Sequence, residues 1–226
     1  GFALSSLEEG AAKLGWRAAS MAVNATPSDK LALADLLSGL AQRANDAILE
    51  EAASRHGRMG ATLTSMVVAV QTAFISHVGD TRAYRVRGGV VEQLTEDTSV
   101  AAIRLRLGRM TPEEYETSPL RSVLHEALGL VTIVEPEFIT PTLGPGDVVV
   151  LCTDGVWGHL DTETLARLAS DPDPAAAANA LVSTAYDQGS DDNLTAVVVR
   201  CVEGEQRSTV EDALASIPLF QHFSPR

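Results

Sequence analysis

Acidic turns beside apolar runs carry the side chains best suited to chemistry in this sequence. Asp80 and Asp154 each follow an apolar run, and Asp191 and Asp192 stand just before the run LTAVVV. An Asp at the end of a strand is held by a rigid scaffold and still reaches solvent, which suits a hard cation with oxygen ligands. Each turn alone has an ordinary explanation as a residue that bonds its own backbone. The three turns together favour a site for divalent cations.

Other catalytic groups have weaker support in the sequence. No cysteine loop suited to cradling a phosphate and no Gly-x-Ser-x-Gly elbow is present, so covalent cysteine and serine mechanisms lack their parts. His159 follows Asp154 by five residues and is either a proton donor or an ordinary packed or exposed imidazole. Arg104, Arg106 and Arg109 either meet a phosphate or are solvated helix charges.

Composition limits the classes of function. The chain has 226 residues, of which 45% are hydrophobic, so it can bury a sizeable core. No run approaches the roughly 20 apolar residues of a membrane span, and we expect no membrane segment. A net charge of −13 repels phosphate backbones, which argues against nucleic-acid binding and favours cations. Cys152 and Cys201 lie in β-like runs without a Cys-x-x-Cys pair, and we interpret them as buried reduced thiols of a cytoplasmic protein.

The first half of the chain predicts two helices and then strands. Residues 1–56 have helical spacing of apolar side chains in two stretches, the second starting at a Ser28 cap and ending near Gly57. Residues 60–95 predict a four-stranded meander, with hairpin signals at Gly79-Asp80 and Gly88-Gly89.

The second half predicts a helical excursion at residues 96–130, including a helix start at Thr111-Pro112, and then strands and helices. Residues 147–154 predict a strand covered on both faces, and residues 193–202 predict another buried strand. Helices are expected between them, at about 161–170 and 174–186. This block order favours an α+β architecture in which helices cover antiparallel sheets.

Five motifs occur in an order that resembles the bacterial type 2C metal-dependent protein phosphatases. They are residues 58–64 (RMGATLT), 77–84 (HVGDTRAY), 94–99 (LTEDTS), 146–155 (GDVVVLCTDG) and 190–199 (SDDNLTAVVV). The match spans about residues 1–200, which makes it far more specific than a single Asp-Gly turn. The resemblance implies a four-layer αββα sandwich of two antiparallel sheets flanked by helices, with a metal pair at one end.

The resemblance also implies roles for single residues. Asp154 and Asp192 match ligands of one Mn²⁺ or Mg²⁺ ion, and Asp80 matches a residue that holds a further, weaker ion beside Asp154. Asp191 is not the matching ligand, because that ligand stands directly before Asn193. The implied activity is hydrolysis of phosphoserine and phosphothreonine in proteins by a metal-activated water, opposing a Ser/Thr kinase. Residues 96–130 match the family's flap, a mobile element beside the active site.

The start of the chain departs from the family pattern. Typical members begin with two strands that carry an Arg, an acidic residue and a second Asp-Gly motif, whose Asp bridges both metals. This chain begins at the helix that follows, with Gly1 in the place of that motif's glycine. We therefore expect an N-terminally truncated chain in which strands of the first sheet are missing, metal binding is weak and turnover is little or none. The alternative is a noncatalytic pseudophosphatase that binds a partner through the flap.

The end of the chain is amphipathic and lies beyond the last predicted strand. Residues 214–224 (LASIPLFQHFS) resemble the opening of a cyclic-nucleotide-binding domain, with a tail helix docked on the body as an equal alternative. We expect a phosphatase-like domain at residues 1–203 and, at 204–226, a linker that leads into such a domain.

Overall fold

The computed structural model describes residues 26–69 and 71–203. The helices are α1 (Pro27–Ser54), α2 (Val100–Arg106), α3 (Pro112–Thr117), α4 (Asp154–Trp157), α5 (Thr162–Ala169) and α6 (Pro174–Asp187), with a 3₁₀ turn at Pro119–Ser122. The strands are β1 (Leu63–Ala69), β2 (Thr72–Val78), β3 (Arg82–Arg87), β4 (Val90–Gln93), β5 (Glu137–Ile139), β6 (Val148–Cys152) and β7 (Ala196–Arg200). The first predicted helix and the proposed second domain lie outside the described residues.

Local sequence signals explain where several helices begin. Helix α1 begins at Pro27, one residue before the expected cap, and ends near Gly57 as predicted. At α3, the Thr111 side chain accepts from the Glu114 backbone N–H while the Glu114 carboxylate accepts from the Thr111 N–H, a full capping box. The predicted helices at 161–170 and 174–186 are confirmed as α5 and α6.

Two antiparallel sheets form the centre of the fold. The first sheet has the strand order β1-β2-β5 and the second has the order β4-β3-β6-β7. The space between the sheets is filled by buried side chains from both, among them Ile75 and Val149. Helix α1 covers the outer face of the first sheet through Leu33, Leu37 and Leu40, which pack with Phe74. Helices α4, α5 and α6 cover the second sheet, and the predicted αββα layering is confirmed.

The two late strands differ in burial, which corrects one prediction. Strand β6 is a central strand, and Val148, Val149 and Val150 are almost fully buried, as predicted. Strand β7 pairs only with β6 among the described strands, and Val197 stays 47% exposed. The expectation of a second buried strand was wrong because an apolar run does not reveal whether its strand lies in the middle or at the edge of a sheet.

The segment predicted as one meander forms two hairpins in different sheets. The Gly88-Gly89 hairpin is confirmed, since it joins β3 to β4 with Arg87 opposite Val90. The Gly79-Asp80 hairpin is wrong, because these residues carry the chain from β2 in the first sheet to β3 in the second. Gly79 has a φ of 113°, and a Cβ at this position would lie 2.4 Å from the Thr62 side chain. The turn therefore needs glycine to cross between the layers.

The flap (residues 96–130) leaves and rejoins the body beside this crossing. The Thr98 backbone N–H donates to the Gly79 carbonyl at 2.7 Å, and the Thr98 hydroxyl donates to the Glu126 carbonyl at 2.8 Å. Leu128 then forms an isolated antiparallel bridge with Ala61. Both ends of the flap are thus fixed next to Asp80. Within the described part of the chain, no helix combines the length and apolar character needed to cross a bilayer.

Candidate metal centre

The sheet registers bring the predicted acids to one rim. Strands β3 and β6 are antiparallel with Arg82 opposite Cys152, so Asp80 before β3 and Asp154 after β6 extend to the same end. Strands β6 and β7 are antiparallel with Cys152 opposite Ala196, which places Asp192 at that end as well. Three acids that are far apart in the chain therefore lie at the same end of the strands of the second sheet.

Asp154 and Asp192 lie on adjacent turns that are bonded to each other. The Thr153 hydroxyl donates to the Asn193 carbonyl at 3.2 Å and accepts from the Thr195 backbone N–H at 3.1 Å. A Cβ added to Gly155 would lie 2.8 Å from the Asn193 carbonyl oxygen and 3.3 Å from the Cβ of Asp192. The close approach of the two turns holds the two aspartates side by side.

Each of these two carboxylates has one oxygen engaged locally. Oδ1 of Asp154 accepts from the Gly155 backbone N–H at 2.9 Å, and Oδ1 of Asp192 accepts from the Asn193 backbone N–H at 2.7 Å. Among the described residues, neither Oδ2 accepts a hydrogen bond. Carboxylate oxygens fixed in this way and open on one side are suitable ligands for Mg²⁺ or Mn²⁺.

Asp80 is only 9% exposed and lies close to other acids. Burial, followed by the charges of Asp154 and Asp97, raises the pKa of Asp80 to about 6. The Trp157 indole N–H donates to the Asp80 carbonyl at 2.9 Å, which ties Asp80 to the helix that begins at Asp154. A divalent cation at this rim would relieve the repulsion between the carboxylates.

Other predicted candidates stand apart from this cluster or stay untested. Asp191 and Asp192 are both exposed, so exposure does not separate them. In the described segments no three His, Cys, Asp or Glu side chains come close enough to hold a metal by themselves, and this includes Asp80, Asp154 and Asp192. His159 follows α4 and is half-buried, and its Nδ1 lies 3.2 Å from the Gly155 carbonyl, which fits an imidazole packed against that helix. The three flap arginines Arg104, Arg106 and Arg109 are exposed, and Arg106 pairs with Glu96.

Sequence reasoning missed a buried ion pair behind Asp80. Arg82 and Asp97 form two parallel hydrogen bonds of 2.9 and 2.7 Å, with side chains only 12% and 4% exposed. The Arg82 guanidinium lies 3.4 Å above the centroid of the Trp157 ring and donates to the Tyr84 hydroxyl at 3.1 Å. Burial opposes the charge of Arg82, yet the hydrogen bonds that Arg82 donates to Asp97 and the nearby charges of Tyr84 and Asp97 hold its pKa above the usual range. Arg82 and Asp97 stand in the 77–84 and 94–99 motifs, but neither motif indicates that the two side chains pair.

His77 is the remaining buried polar side chain near this rim. Nδ1 of His77 lies 2.8 Å from the Thr64 hydroxyl, and Nε2 donates to the Glu96 carbonyl at 3.1 Å. Burial lowers the pKa of His77, so the ring is neutral at neutral pH. It links strands β1 and β2 of the first sheet to the start of the flap, and it is almost fully buried.

Comparison with known proteins gives matches over most of the chain. The sequence profile of the family Protein phosphatase 2C matches residues 8–198. The serine/threonine protein phosphatase PstP of Mycobacterium tuberculosis is 34% identical over 151 residues, which are 67% of this chain and 29% of PstP. The chain therefore spans less than a third of the length of this relative.

Solved structures give the same result at the level of the fold. The crystal structure of the Mycobacterium tuberculosis serine/threonine phosphatase PstP/Ppp is similar with a TM-score of 0.70 and 31% identity, over 86% of this chain and 83% of that chain. The catalytic domain of PstP in complex with two manganese ions is similar with a TM-score of 0.67 and 28% identity, over 84% and 82%. The profile match and the shared two-sheet fold together show that the chain belongs to the protein phosphatase 2C family.

Proposed function

We propose that the natural protein containing this chain is a metal-dependent protein serine/threonine phosphatase. The observation that carries the proposal is the convergence of Asp154 and Asp192 on two bonded turns, next to Asp80. Membership of the protein phosphatase 2C family supports the same reaction. The manganese ions named for the PstP catalytic domain support Mn²⁺ or Mg²⁺ as the cofactor.

The residues at this rim fit divalent cations. We propose that Asp154 and Asp192 share one ion and that Asp80, with Asp154, holds a further and weaker one. The donors are carboxylate oxygens, which hard cations prefer, and Gly155 and Asn193 hold one oxygen of each pair in place through their backbone N–H groups. Burial and the neighbouring carboxylates disfavour the ionised form of Asp80, and a bound cation would favour that form.

The chain contributes position and charge to the reaction. Divalent ions in such a site make hydroxide available near neutral pH and neutralise phosphoryl oxygens. The aspartates would hold these ions through turns anchored on two paired strands. Arg82 does not orient the phosphate, because its guanidinium is engaged by Asp97, Tyr84 and Trp157.

The substrate class and the cellular setting follow from the same proposal. We propose phosphoserine and phosphothreonine proteins as substrates, with a Ser/Thr kinase as counterpart. The described residues hold two free cysteines, of which Cys152 is buried and Cys201 half-buried. Burial raises the pKa of Cys152 to about 12, which agrees with an unreactive thiol. A cytoplasmic location, the domain division at residue 203 and the truncation of this chain stay predictions.

Two neighbouring aspartates provide the sharpest test of this function. Asp192→Asn in the natural protein is expected to reduce Mn²⁺-dependent hydrolysis of a phosphothreonine peptide at least 100-fold, a typical effect of losing a catalytic-metal ligand (about 10²-fold or more). Asp191→Asn is the matched control. It removes the same charge from the neighbouring exposed side chain, and we expect it to keep the rate within about twofold. If the two substitutions lowered the rate equally, Asp192 would not be a specific metal ligand.

The alternative is a noncatalytic module that keeps the fold and binds a partner through the flap. It predicts no hydrolysis of p-nitrophenyl phosphate or of phosphopeptides by the natural protein at any Mn²⁺ concentration. Hydrolysis by the natural protein but not by this chain would instead support the expectation of a truncated, inactive fragment.

A further inference from the structure

We propose that Tyr115 is a positioning residue that fixes the flap over the Asp80 rim by docking on the buried Arg82–Asp97 pair. The role in the reaction rests on the function proposed above. Tyr115 lies on α3, in the part of the flap farthest along the chain from the Thr98 and Glu126 anchors.

The Tyr115 hydroxyl is placed between both members of the ion pair. It donates to Oδ2 of Asp97 at 3.1 Å and accepts from Nη2 of Arg82 at 3.3 Å. The single hydroxyl proton and an oxygen lone pair are thus both used. Burial, followed by the charge of Asp97, raises the pKa of Tyr115, so the hydroxyl stays protonated and able to donate.

The docking site of Tyr115 combines Arg82 of the body with Asp97 at the first turn of the flap, next to the Thr98 anchor. Arg82 lies on strand β3 of the second sheet, and its planar group is fixed by Asp97, by Tyr84 and by the face of Trp157. Hydrogen bonds to buried charged groups are among the stronger ones in proteins. A flap residue that bonds to this pair is held in one place relative to the sheet.

The same group of side chains continues to the acidic rim. Trp157, which stacks on Arg82, donates its indole N–H to the Asp80 carbonyl at 2.9 Å. Trp157 is the last residue of the helix that begins with Asp154. Two hydrogen bonds and one stacking contact therefore connect Tyr115 on the flap to the backbone of Asp80.

A second flap residue packs on both aromatic rings of this group. The Arg121 guanidinium lies 4.8 Å from the centroid of the Tyr115 ring and 5.8 Å from that of Trp157. Arg121 also donates to the Glu116 carbonyl and carboxylate, each at 3.0 Å. The ring of Tyr115 thus supports Arg121 in the flap, while its hydroxyl bonds to Arg82 on the body and to Asp97 at the start of the flap.

Tyr115 holds the flap without contacting the carboxylates proposed to bind metal. Tyr115 makes no described hydrogen bond to the carboxylates of Asp80, Asp154 or Asp192. Its loss should therefore loosen the flap and weaken binding of a peptide long enough to touch it. A small substrate that reaches only the rim should be affected far less.

The experiment compares Tyr115→Phe with Tyr186→Phe, since Tyr186 is an exposed tyrosine on α6. Hydrogen exchange is measured on the chain for peptides covering residues 111–122. We expect the protected amides of this segment to exchange roughly tenfold faster in Tyr115→Phe and at the parent rate in Tyr186→Phe. Unchanged circular dichroism confirms that both variants are folded.

The kinetic arm uses the natural protein with Mn²⁺, a phosphothreonine peptide and p-nitrophenyl phosphate. For Tyr115→Phe we expect the peptide KM to rise about three- to tenfold, with kcat and the p-nitrophenyl phosphate parameters within about twofold. If residues 111–122 of Tyr115→Phe exchange at the rate of the parent chain, Tyr115 does not anchor the flap. A looser flap with an unchanged peptide KM overturns the positioning role. Absence of hydrolysis by the parent protein contradicts the proposed function, while the exchange comparison still decides the anchor.

Discussion

Asp80 carries a carboxyl group that the folded chain keeps close to two other carboxylates. Its pKa of about 6 lies above the ordinary value of 3.8, first because it is buried and then because Asp154 and Asp97 are near. The folded chain therefore holds the Asp80 proton more tightly than the unfolded chain does. Folding stability contributed by this group is complete at low pH and is lost as the pH rises from about 3.8 through about 6.

Asp80→Asn should therefore stabilise the chain in the absence of divalent ions. The amide cannot ionise, so the gain in free energy of unfolding should be about 1 kcal/mol near pH 4.5 and about 3 kcal/mol near pH 7.5. Urea unfolding of both proteins at the two pH values with a chelator measures this difference. A gain that is equal at the two pH values would mean that the ionisation of Asp80 is not the cause.

The sequence singled out Asp154 and Asp192 as candidates, because each stands beside a strongly apolar run and because the family motif favours Asp192 over Asp191. It was insufficient for Asp97 and Tyr115. Their partner Arg82 is 15 residues from Asp97 and 33 from Tyr115 along the chain, and only the folded chain brings the three together. No local pattern in the sequence predicts such a contact.

At the scale of elements, the turns after β6 and before β7 determine the geometry of the site. Gly155 is buried, and the Asn193 carbonyl occupies the space in which a side chain would begin. The turns can approach this closely only because position 155 has no Cβ.

Gly155→Ala should destabilise the fold and disturb the site together. The new Cβ would lie 2.8 Å from a backbone oxygen that paired strands hold in place, so we expect a loss of about 1–3 kcal/mol in the free energy of unfolding and weaker Mn²⁺ binding. Gly144→Ala is the matched control, since its new Cβ would lie 4.0 Å from the nearest atom, Oδ2 of Asp147, and it should change stability by about 0.5 kcal/mol or less. Denaturant titration and Mn²⁺ titration test both; a Gly155→Ala variant that matches the control in both would contradict the close packing of the turns.

Element types were predictable where the pattern is local, as in the capping box at Thr111 and the helices α5 and α6. The connection at Gly79-Asp80 was not, because a glycine with positive φ serves equally well in a hairpin and in a crossing between sheets. The choice depends on which strands pair, and that is decided by packing across the whole sandwich.

At the scale of the whole molecule, the two-sheet sandwich explains why a chain of net charge −13 places three acids together. Antiparallel pairing of β3 with β6 and of β6 with β7 fixes their common end, and the buried layer between the sheets resists their separation. The sequence predicted this layering through its order of elements and its family resemblance. It did not predict that β7 is the outermost of the described strands in its sheet, since Val197, Val198 and Val199 alone fit either place.

Diffraction from crystals of the natural protein grown with Mn²⁺, recorded at the manganese absorption edge, tests the central claim most directly. The account predicts an anomalous peak within bonding distance of the carboxylates of both Asp154 and Asp192, lost in Asp192→Asn and kept in Asp191→Asn. A rim without a peak, or manganese bound only at acidic side chains elsewhere on the surface, would contradict it.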